Sequence, residues 1–577
     1  MITFSKALPL FATMITAICT SLLLKSKPSL RKGYSPPHRI TLILTFFLAL
    51  LGAILTLALD FRESLPYYVM LIITTASITA LSLHIGPRGR GLLLCSILMW
   101  QLMILYDQVP EACIALGEGT QMTRFMVKNG VWEFGAAHNP SYNPLPTVAF
   151  IITALDYATS LPWYNWFLVF LFFYLSLIVT YDLTIFSLTK EVTGSSTAGI
   201  LAILLLTLTP QTNPLMHPYQ WSGNLLVLIS SLMFIRAVSK RRRAENAKIC
   251  MIVSFASAML AHATAGMSTF LPFMAIMVGY FSLHALKSKE PSAIAVVNLR
   301  SSVLFTGALL LVIALARAVH TSGYVEYILP SLSAFFRELF FPEAIGPAGE
   351  AWYPLYERAG INPIQAYAWV LAPSLATALI LTDLLKKKVE FWHLTLYVTA
   401  IVFIASAYLQ AAFSHAPTVK FNRLAYVWIP FMIPMGALAL VRVLKGGRLI
   451  GVVSLALVLI AAPIATHDPN VSWRQYAEIR GGRATLSIAD LTEAHSLLQL
   501  LDNVSEKLYI RSLECKGYAY LPSGERVEVL RNSLEEALNT IAFIHDIKLP
   551  KLQKLTIVDR EFSKVYDSER SSVFMSK

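Results

Sequence analysis

Charge is scarce in this chain. Of its 577 residues only 14% are Asp, Glu, Lys or Arg, against 56% that are apolar, whereas a soluble domain carries roughly a quarter charged residues. A water-soluble globular protein is excluded, and a polytopic helical membrane protein is expected. Cysteine is scarce too. The five present (Cys19, Cys95, Cys113, Cys250 and Cys515) have no metal-ligand spacing, and three sit in or beside apolar runs, where burial is their ordinary role. The acids are outnumbered, 34 to 47, for a formal net charge of +13. The Lys and Arg residues nevertheless fall in short clusters between apolar runs, the pattern of membrane topology, so nucleic acid is not an expected partner. The first apolar run lacks a basic flank before it and carries Lys25, Lys27, Arg31 and Lys32 after it, which reads as an anchor with its N-terminus outside rather than a cleaved signal. No internal repeat is evident.

What the chain does have is apolar runs. They lie near 7–24, 40–59, 66–85, 92–106, 163–187, 195–210, 221–238, 249–265, 267–286, 301–319, 365–385, 390–413, 425–443 and 449–465. A crossing takes about 20 residues, so these predict roughly 14 transmembrane helices. The clusters Lys25 to Arg39, Arg88/Arg90, Lys240 to Arg243, Lys287/Lys289, Lys386 to Lys388 and Lys445/Arg448 share one side if the spans alternate, and that side is cytoplasmic. The alternation holds only if 145–161 does not cross, so that segment is expected as an interfacial or re-entrant helix with Asp156 towards its polar side. The loops 107–162, 210–220, 320–364 and 414–424 then face outward. Sequence character changes near His467, dividing the chain into a transmembrane domain, 1–466, and an extracytoplasmic α+β domain, 467–577. In that tail KLYIRS, GYAYL, ERVEVL and KLTIV alternate as strands and SLEEALNTIAFI is patterned as a helix. Two sequons, beginning at Asn470 and Asn503, agree with an external tail.

The ionisable residues suggest where chemistry occurs. Asp107, His217, His262, Arg317, His320, His415, Lys420 and Arg423 map to the outer third or the outer loops, whereas Asp182, Arg236, Asp383 and Glu390 map towards cytoplasmic span ends. An outer-face site with acids and several cations suits group transfer from an anionic lipid. A phosphate leaving group needs cations to absorb its charge, and an acceptor hydroxyl needs a carboxylate to take its proton. Asp107 and Glu111, four residues apart, supply the acids; His415, Lys420 and Arg423 supply the cations, with the planar fork of Arg423 best suited to two phosphate oxygens. His262 in LAHATAG and His217 in MHPYQW are further substrate-binding candidates. Each has an ordinary structural role as well: Asp107 as a solvated helix cap, Arg423 as an interface anchor, the two histidines as packing or loop residues.

Several elements occur together in order: Asp107 after an early span, then G-V-W-E, Y-N-P-L-P-T, L-D-Y-A-T-S-L-P and DLTIFSLTKEVTGSSTAGILAILLLTLTP. Later come LAHATAG, FNRLAYVWIPFMIP and, in the tail, FSKVYDSERSSVFM. Over most of residues 100–445 this succession resembles the GT-C superfamily of polyprenyl-phosphate-sugar-dependent membrane glycosyltransferases, in a prokaryotic, archaeal-like form. The resemblance implies inverting sugar transfer on the outer face, from a polyprenyl-phosphate sugar donor to a membrane lipid, glycan or protein acceptor of the cell envelope. It gives Asp107 the role of general base and places Arg423 beside the lipid phosphate. The chain departs from the family in three ways. It has no WWDYG-like element in the tail, no Asp-Glu pair at position 107, and three additional spans before the catalytic loop, which together argue against oligosaccharide transfer to asparagine.

No cofactor is expected. A divalent ion would need several oxygen ligands, and Asp107, Glu111, Glu118 and Asp156 would converge only if the outer loop folded back. Two rival readings are a lipid-linked glycan flippase or other membrane transporter, and a noncatalytic scaffold whose external tail binds a partner. The topology is testable in sealed cells expressing a cysteine-free background. An impermeant thiol reagent should label Ser414→Cys from outside and leave Asn246→Cys untouched; equal labelling of the two overturns the span count.

Overall fold

The computed structural model describes residues 39–59, 65–84, 89–105, 126, 147–159, 166–209, 218–239, 244–261, 363–412, 421–446 and 455–462, together with five strands between 508 and 576. The helices in these stretches are α1 (Arg39–Leu59), α2 (Leu65–His84), α3 (Arg90–Leu105), α4 (Thr147–Thr159), α5 (Trp166–Thr193), α6 (Ser196–Leu208), α7 (Pro218–Ser239), α8 (Ala244–Ala261), α9 (Pro363–Leu385), α10 (Phe391–Ala412) and α11 (Phe421–Gly446). Residues 455–462 are also helical. The expected spans near 7–24, 267–286 and 301–319 lie outside the described residues. Among the described residues Leu65–His84 and Trp428–Gly446 are individually long and apolar enough to cross a bilayer; shorter apolar stretches occupy Ile40–Thr56, Arg90–Ile104, Ser196–Leu208, Trp221–Ala237, Leu371–Leu385 and Phe391–Val402.

The faces of α2 show what solvent surrounds it. Its buried side holds Tyr67, Thr74, Thr75, Thr79 and Ser82 besides Leu71, Ile78 and Leu81, while Leu65, Val69, Ile72 and Ile73 are exposed. Polar side chains inward and β-branched aliphatics outward is the reverse of a helix in water, and it is stable where the outer medium is hydrocarbon. On α1 the exposed Ile40, Ile43, Leu44, Phe47, Leu51 and Ile54 recur at helical spacing and form one continuous apolar stripe. At 1.5 Å per residue the 21 residues of α1 run about 31 Å, the thickness of a bilayer core, whereas the 13 residues of α4 reach about 20 Å and fall short of it. Both sides of α4 are apolar, with Val148, Ala149 and Ile152 buried and Phe150, Ile151 and Tyr157 exposed.

The chain forms two compact units. One comprises Met1–Tyr106, Val179–Asn213 and Gln220–Pro469; the other comprises Asp107–Ile178, Pro214–Tyr219 and Asn470–Lys577. In the first, α1 packs on α3 and α2, α2 also meets α6, and α11 is central, packing against α9, α10 and α6. A sharp turn joins α5 to α6. Gly194 takes the left-handed conformation (φ 68°) that a side chain resists, its N–H closing α5 on the Lys190 carbonyl, and Ser195 caps α6 by accepting from the Ala198 N–H at 3.1 Å. α9 carries Pro373 and α11 carries Pro430 and Pro434 inside their helical runs. Each proline removes one backbone donor, a loss tolerated where helices are supported by neighbours.

The second unit contains α4 and a five-stranded sheet, β1 (Leu508–Arg511), β2 (Val527–Val529), β3 (Ile541–His545), β4 (Phe562–Asp567) and β5 (Ser571–Ser576), in the order β2-β1-β3-β5-β4. β1 runs parallel to β2 and β3, and β5 is antiparallel to β3 and β4. The strands anticipated in KLYIRS and ERVEVL are β1 and β2, while GYAYL and KLTIV lie outside the described residues. The helix expected over SLEEALNTIAFI is corrected at its end: IAFI belongs to β3, an interior strand paired with β1 on one side and β5 on the other. A β-branched and aromatic segment with ladder partners on both sides outweighs a helical periodicity carried only by the residues before it.

Among the described glycines the closest approach to another helix's backbone is at Gly436 on α11, where an added Cβ would come within 2.9 Å of the Ala372 carbonyl oxygen of α9. Gly436→Ala should therefore lower stability by about 1–3 kcal/mol, although Gly to Ala in a helix is otherwise favourable. Gly446→Ala, which meets nothing within 4 Å, is the control. Thermal unfolding in detergent should separate the two variants, and equal midpoints would refute the close approach.

Candidate functional site

α3 is the helix that leads to Asp107, its last residue being Leu105. Beyond Arg90 and Ser96 in its first half, its polar side-chain groups are Gln101 and the indole N–H of Trp100, and both are used. Trp100 Nε1 donates to Thr75 Oγ1 of α2 at 2.9 Å, and the Tyr67 hydroxyl of α2 donates to the Met103 carbonyl at 3.0 Å. Met103 lies in the final turn, where a helix leaves carbonyls without intrahelical donors, so Tyr67 caps α3 from the side. Gln101 Nε2 donates to Asp182 Oδ1 of α5 at 3.0 Å and to Thr207 Oγ1 of α6 at 2.8 Å. The Thr207 hydroxyl in turn donates to the Ile203 carbonyl at 3.0 Å. Gln101 is 2% exposed and Asp182 9%. Next to Asp182, the Tyr181 ring meets Trp221 of α7 edge to face, centroids 4.9 Å apart. Three helices, α3, α5 and α6, thus meet at one buried polar cluster.

Asp182 lies eleven residues before the end of α5 at Thr193, Gln101 eleven residues after the start of α3 at Arg90, and Thr207 eleven after the start of α6 at Ser196. At 1.5 Å per residue that is about 16 Å from those helix ends. Gln101 is also four residues from the other end of α3 at Leu105, and Thr207 one residue from the other end of α6 at Leu208. The apolar run ending at 187 falls short of the helix, since α5 continues for six further, more polar residues.

The other inner acids do lie at helix ends. Asp383, close to the end of α9, accepts from Arg442 Nη1 of α11 at 2.9 Å, and Glu191 lies 3.6 Å from Arg236 Nε. His393, in the first turn of α10 and 1% exposed, has its Nε2 3.9 Å from Glu390 Oε2. Nearby, Lys387 takes a left-handed conformation (φ 53°) while the N–H groups of Lys387 and Lys388 bond the Leu384 and Asp383 carbonyls. These contacts join α5 to α7 and α9 to α11 near their ends, and order the short turn from α9 into α10.

Of the residues singled out in the sequence, Asp107, Glu111, Glu118, His217, His262, His415 and Lys420 lie outside the described residues. Arg423 falls in the first turn of α11, and Asp156 within α4. The structure therefore brings none of these side chains together among the described residues. Nor do three His, Cys, Asp or Glu side chains converge there as metal ligands. The cluster that sequence reasoning missed is Gln101, Asp182 and Thr207, and the separate Tyr67 bond to Met103 was missed with it. A signal was present in Gln101, a lone amide in the apolar run ILMWQLMIL.

No protein-family model matches the chain, and no curated protein matches it. Among solved structures it is similar to ArnT from Cupriavidus metallidurans bound to undecaprenyl phosphate, at 10% identity over 85% of this chain and 98% of that one, with a TM-score of 0.49. It is also similar to the same protein in the apo state, at 11% identity over 82% and 97% of the two chains, with a TM-score of 0.47.

The hydrogen-bond pattern predicts an order of effects. Gln101→Leu leaves Asp182 without its donor and should cost about 1–3 kcal/mol, while Thr207→Val removes one neutral acceptor and should cost about 0.6 kcal/mol, the average for such bonds in membranes. Gln101→Leu combined with Asp182→Leu should cost less than the sum of the single changes, because the two groups share one bond. Unfolding midpoints in detergent test the order; additive effects would exclude the coupling.

Proposed function

We propose that the chain is an integral membrane glycosyltransferase that moves a sugar from a polyprenyl-phosphate donor to a cell-envelope lipid, glycan or protein acceptor on the outer face, with inversion. The observation that carries the reading is the ordered succession of motifs from Asp107 to Arg423. The form of α11 supports it. Its first turn holds Arg423, and Lys420 immediately precedes the helix. A helix N-terminus offers unbonded backbone N–H groups and a positive dipole end. Two cations at that end repel the dipole and are stable there when an anion joins them, and a lipid phosphate is such an anion.

In the proposed reaction Asp107 accepts the proton of the acceptor hydroxyl as that oxygen bonds to the anomeric carbon. The bond from that carbon to the phosphate oxygen breaks, and the electron pair leaves with polyprenyl phosphate. Arg423, with Lys420 and His415, takes up the developing phosphate charge through charge-assisted hydrogen bonds. Glu111 lies one helical turn from the base in sequence, and His217 and His262 are assigned to substrate binding.

A transporter is the second reading, and Asp182 is the observation that favours it. An acid buried among the helices of a bundle is what coupled transporters use. Purified protein in liposomes, incubated with a panel of polyprenyl-phosphate sugars, separates the two: transfer releases polyprenyl phosphate, whereas transport moves the intact donor between leaflets. Asp107→Asn keeps the shape and removes the base, so turnover should fall by about 10²–10⁴-fold, roughly 3–5 kcal/mol in barrier, with donor binding little changed. Arg423→Lys should weaken donor binding or phosphate departure, and Arg423→Ala more so. Full turnover in Asp107→Asn would sink the transferase reading.

A further inference from the structure

The buried cluster on α3, α5 and α6 has more acceptors than donors. The two hydrogens of Gln101 Nε2 go to Asp182 Oδ1 and Thr207 Oγ1, and the one hydrogen of Thr207 goes to the Ile203 carbonyl. Gln101 Oε1 is buried with no hydrogen-bond partner. It branches from the same carbon as Nε2, so it lies at most about 5 Å from Asp182 Oδ1. The Asp182 carboxylate and an unmatched oxygen of Gln101 therefore lie side by side in one buried cluster. Among the described residues no Lys, Arg or His forms an ion pair with Asp182. The titratable group beside it is Tyr181, its neighbour in the chain, whose ring is turned on Trp221 of α7; α3 contributes Gln101 and α6 Thr207, both uncharged. A lone negative charge buried inside a bundle is costly and is retained where a positive charge joins it.

We propose that Asp182 and Gln101 form an intramembrane site for one monovalent cation, a proton or a sodium ion, held by the carboxyl and amide oxygens. The two sources share one chemistry, a compact positive charge accepted by oxygen. The site is independent of sugar transfer, and its test reads no activity.

Full-length protein in lipid nanodiscs is compared in two arms. Sodium replaces choline at constant ionic strength while binding is followed by calorimetry and unfolding by temperature. Separately, the protonated-carboxyl carbonyl band is recorded by infrared spectroscopy at neutral pH. Wild type is expected to give either one saturable sodium site that raises the unfolding midpoint, or a protonated-carboxyl band, and Asp182→Asn is expected to lose whichever is seen. Should Asp182→Asn fail to fold, Gln101→Leu, which leaves the carboxyl in place, must weaken sodium binding at least tenfold or shift the band. Wild type with neither signal overturns the proposal, as does a signal unchanged in Asp182→Asn or in Gln101→Leu.

Discussion

In hydrocarbon there is no water to satisfy a polar group, so every donor and acceptor must find its partner within the chain. The hydroxyl residues of the first unit show how this is met locally. Thr45, Thr56, Thr75, Thr79 and Ser82 each bond the carbonyl four residues earlier, at 2.7–2.8 Å, and Thr377, Thr382 and Thr399 repeat the pattern on α9 and α10. Such bonds hide a hydroxyl against its own helix and leave it free to accept. Thr75 then accepts from Trp100, and Thr377 from Tyr397. What begins as disposal of a polar group becomes a link between helices.

The same constraint decides how much of the fold was legible. Helices of one apolar composition on all sides are visible in sequence, and α1, α2, α7, α9 and α10 occupy the runs from which they were expected. Ends were less legible where a helix continues past its apolar part. The last turns of α5, through Lys190 and Glu191 to Thr193, are polar, and an apolar run that finishes at 187 does not show that the helix goes on. In the sheet, β1 and β2 were visible as alternating segments, whereas β3 was not. A strand paired on both sides needs no alternation, so IAFIH reads equally as the end of a helix until its neighbours are known.

The site was legible in a different measure. Residue type and order led to Asp107 and Arg423 because a base and a phosphate-binding cation are recognisable by their chemistry. Gln101 and Thr207 are neither acids nor cations, and their importance lies in where α3, α5 and α6 cross. No spacing in one segment shows that positions 101, 182 and 207 meet, since the contact joins residues up to 106 apart in sequence. Tyr67 was hidden for the same reason: the carbonyl it bonds belongs to another helix.

The two carboxylates that matter here differ in kind because their surroundings differ. Asp383 keeps a partner in Arg442, whose half-exposed side chain reaches the helix end and shares the charge with the interface. Asp182 has an amide in place of a cation. An amide donor orients a carboxyl without neutralising it. A bundle built only to hold α3 in place would be served as well by a second amide at position 182, which makes four hydrogen bonds and brings no charge into the bundle. The carboxyl supplies something an amide does not, a group able to take up and release a cation, and the proposed cation site rests on that chemical difference.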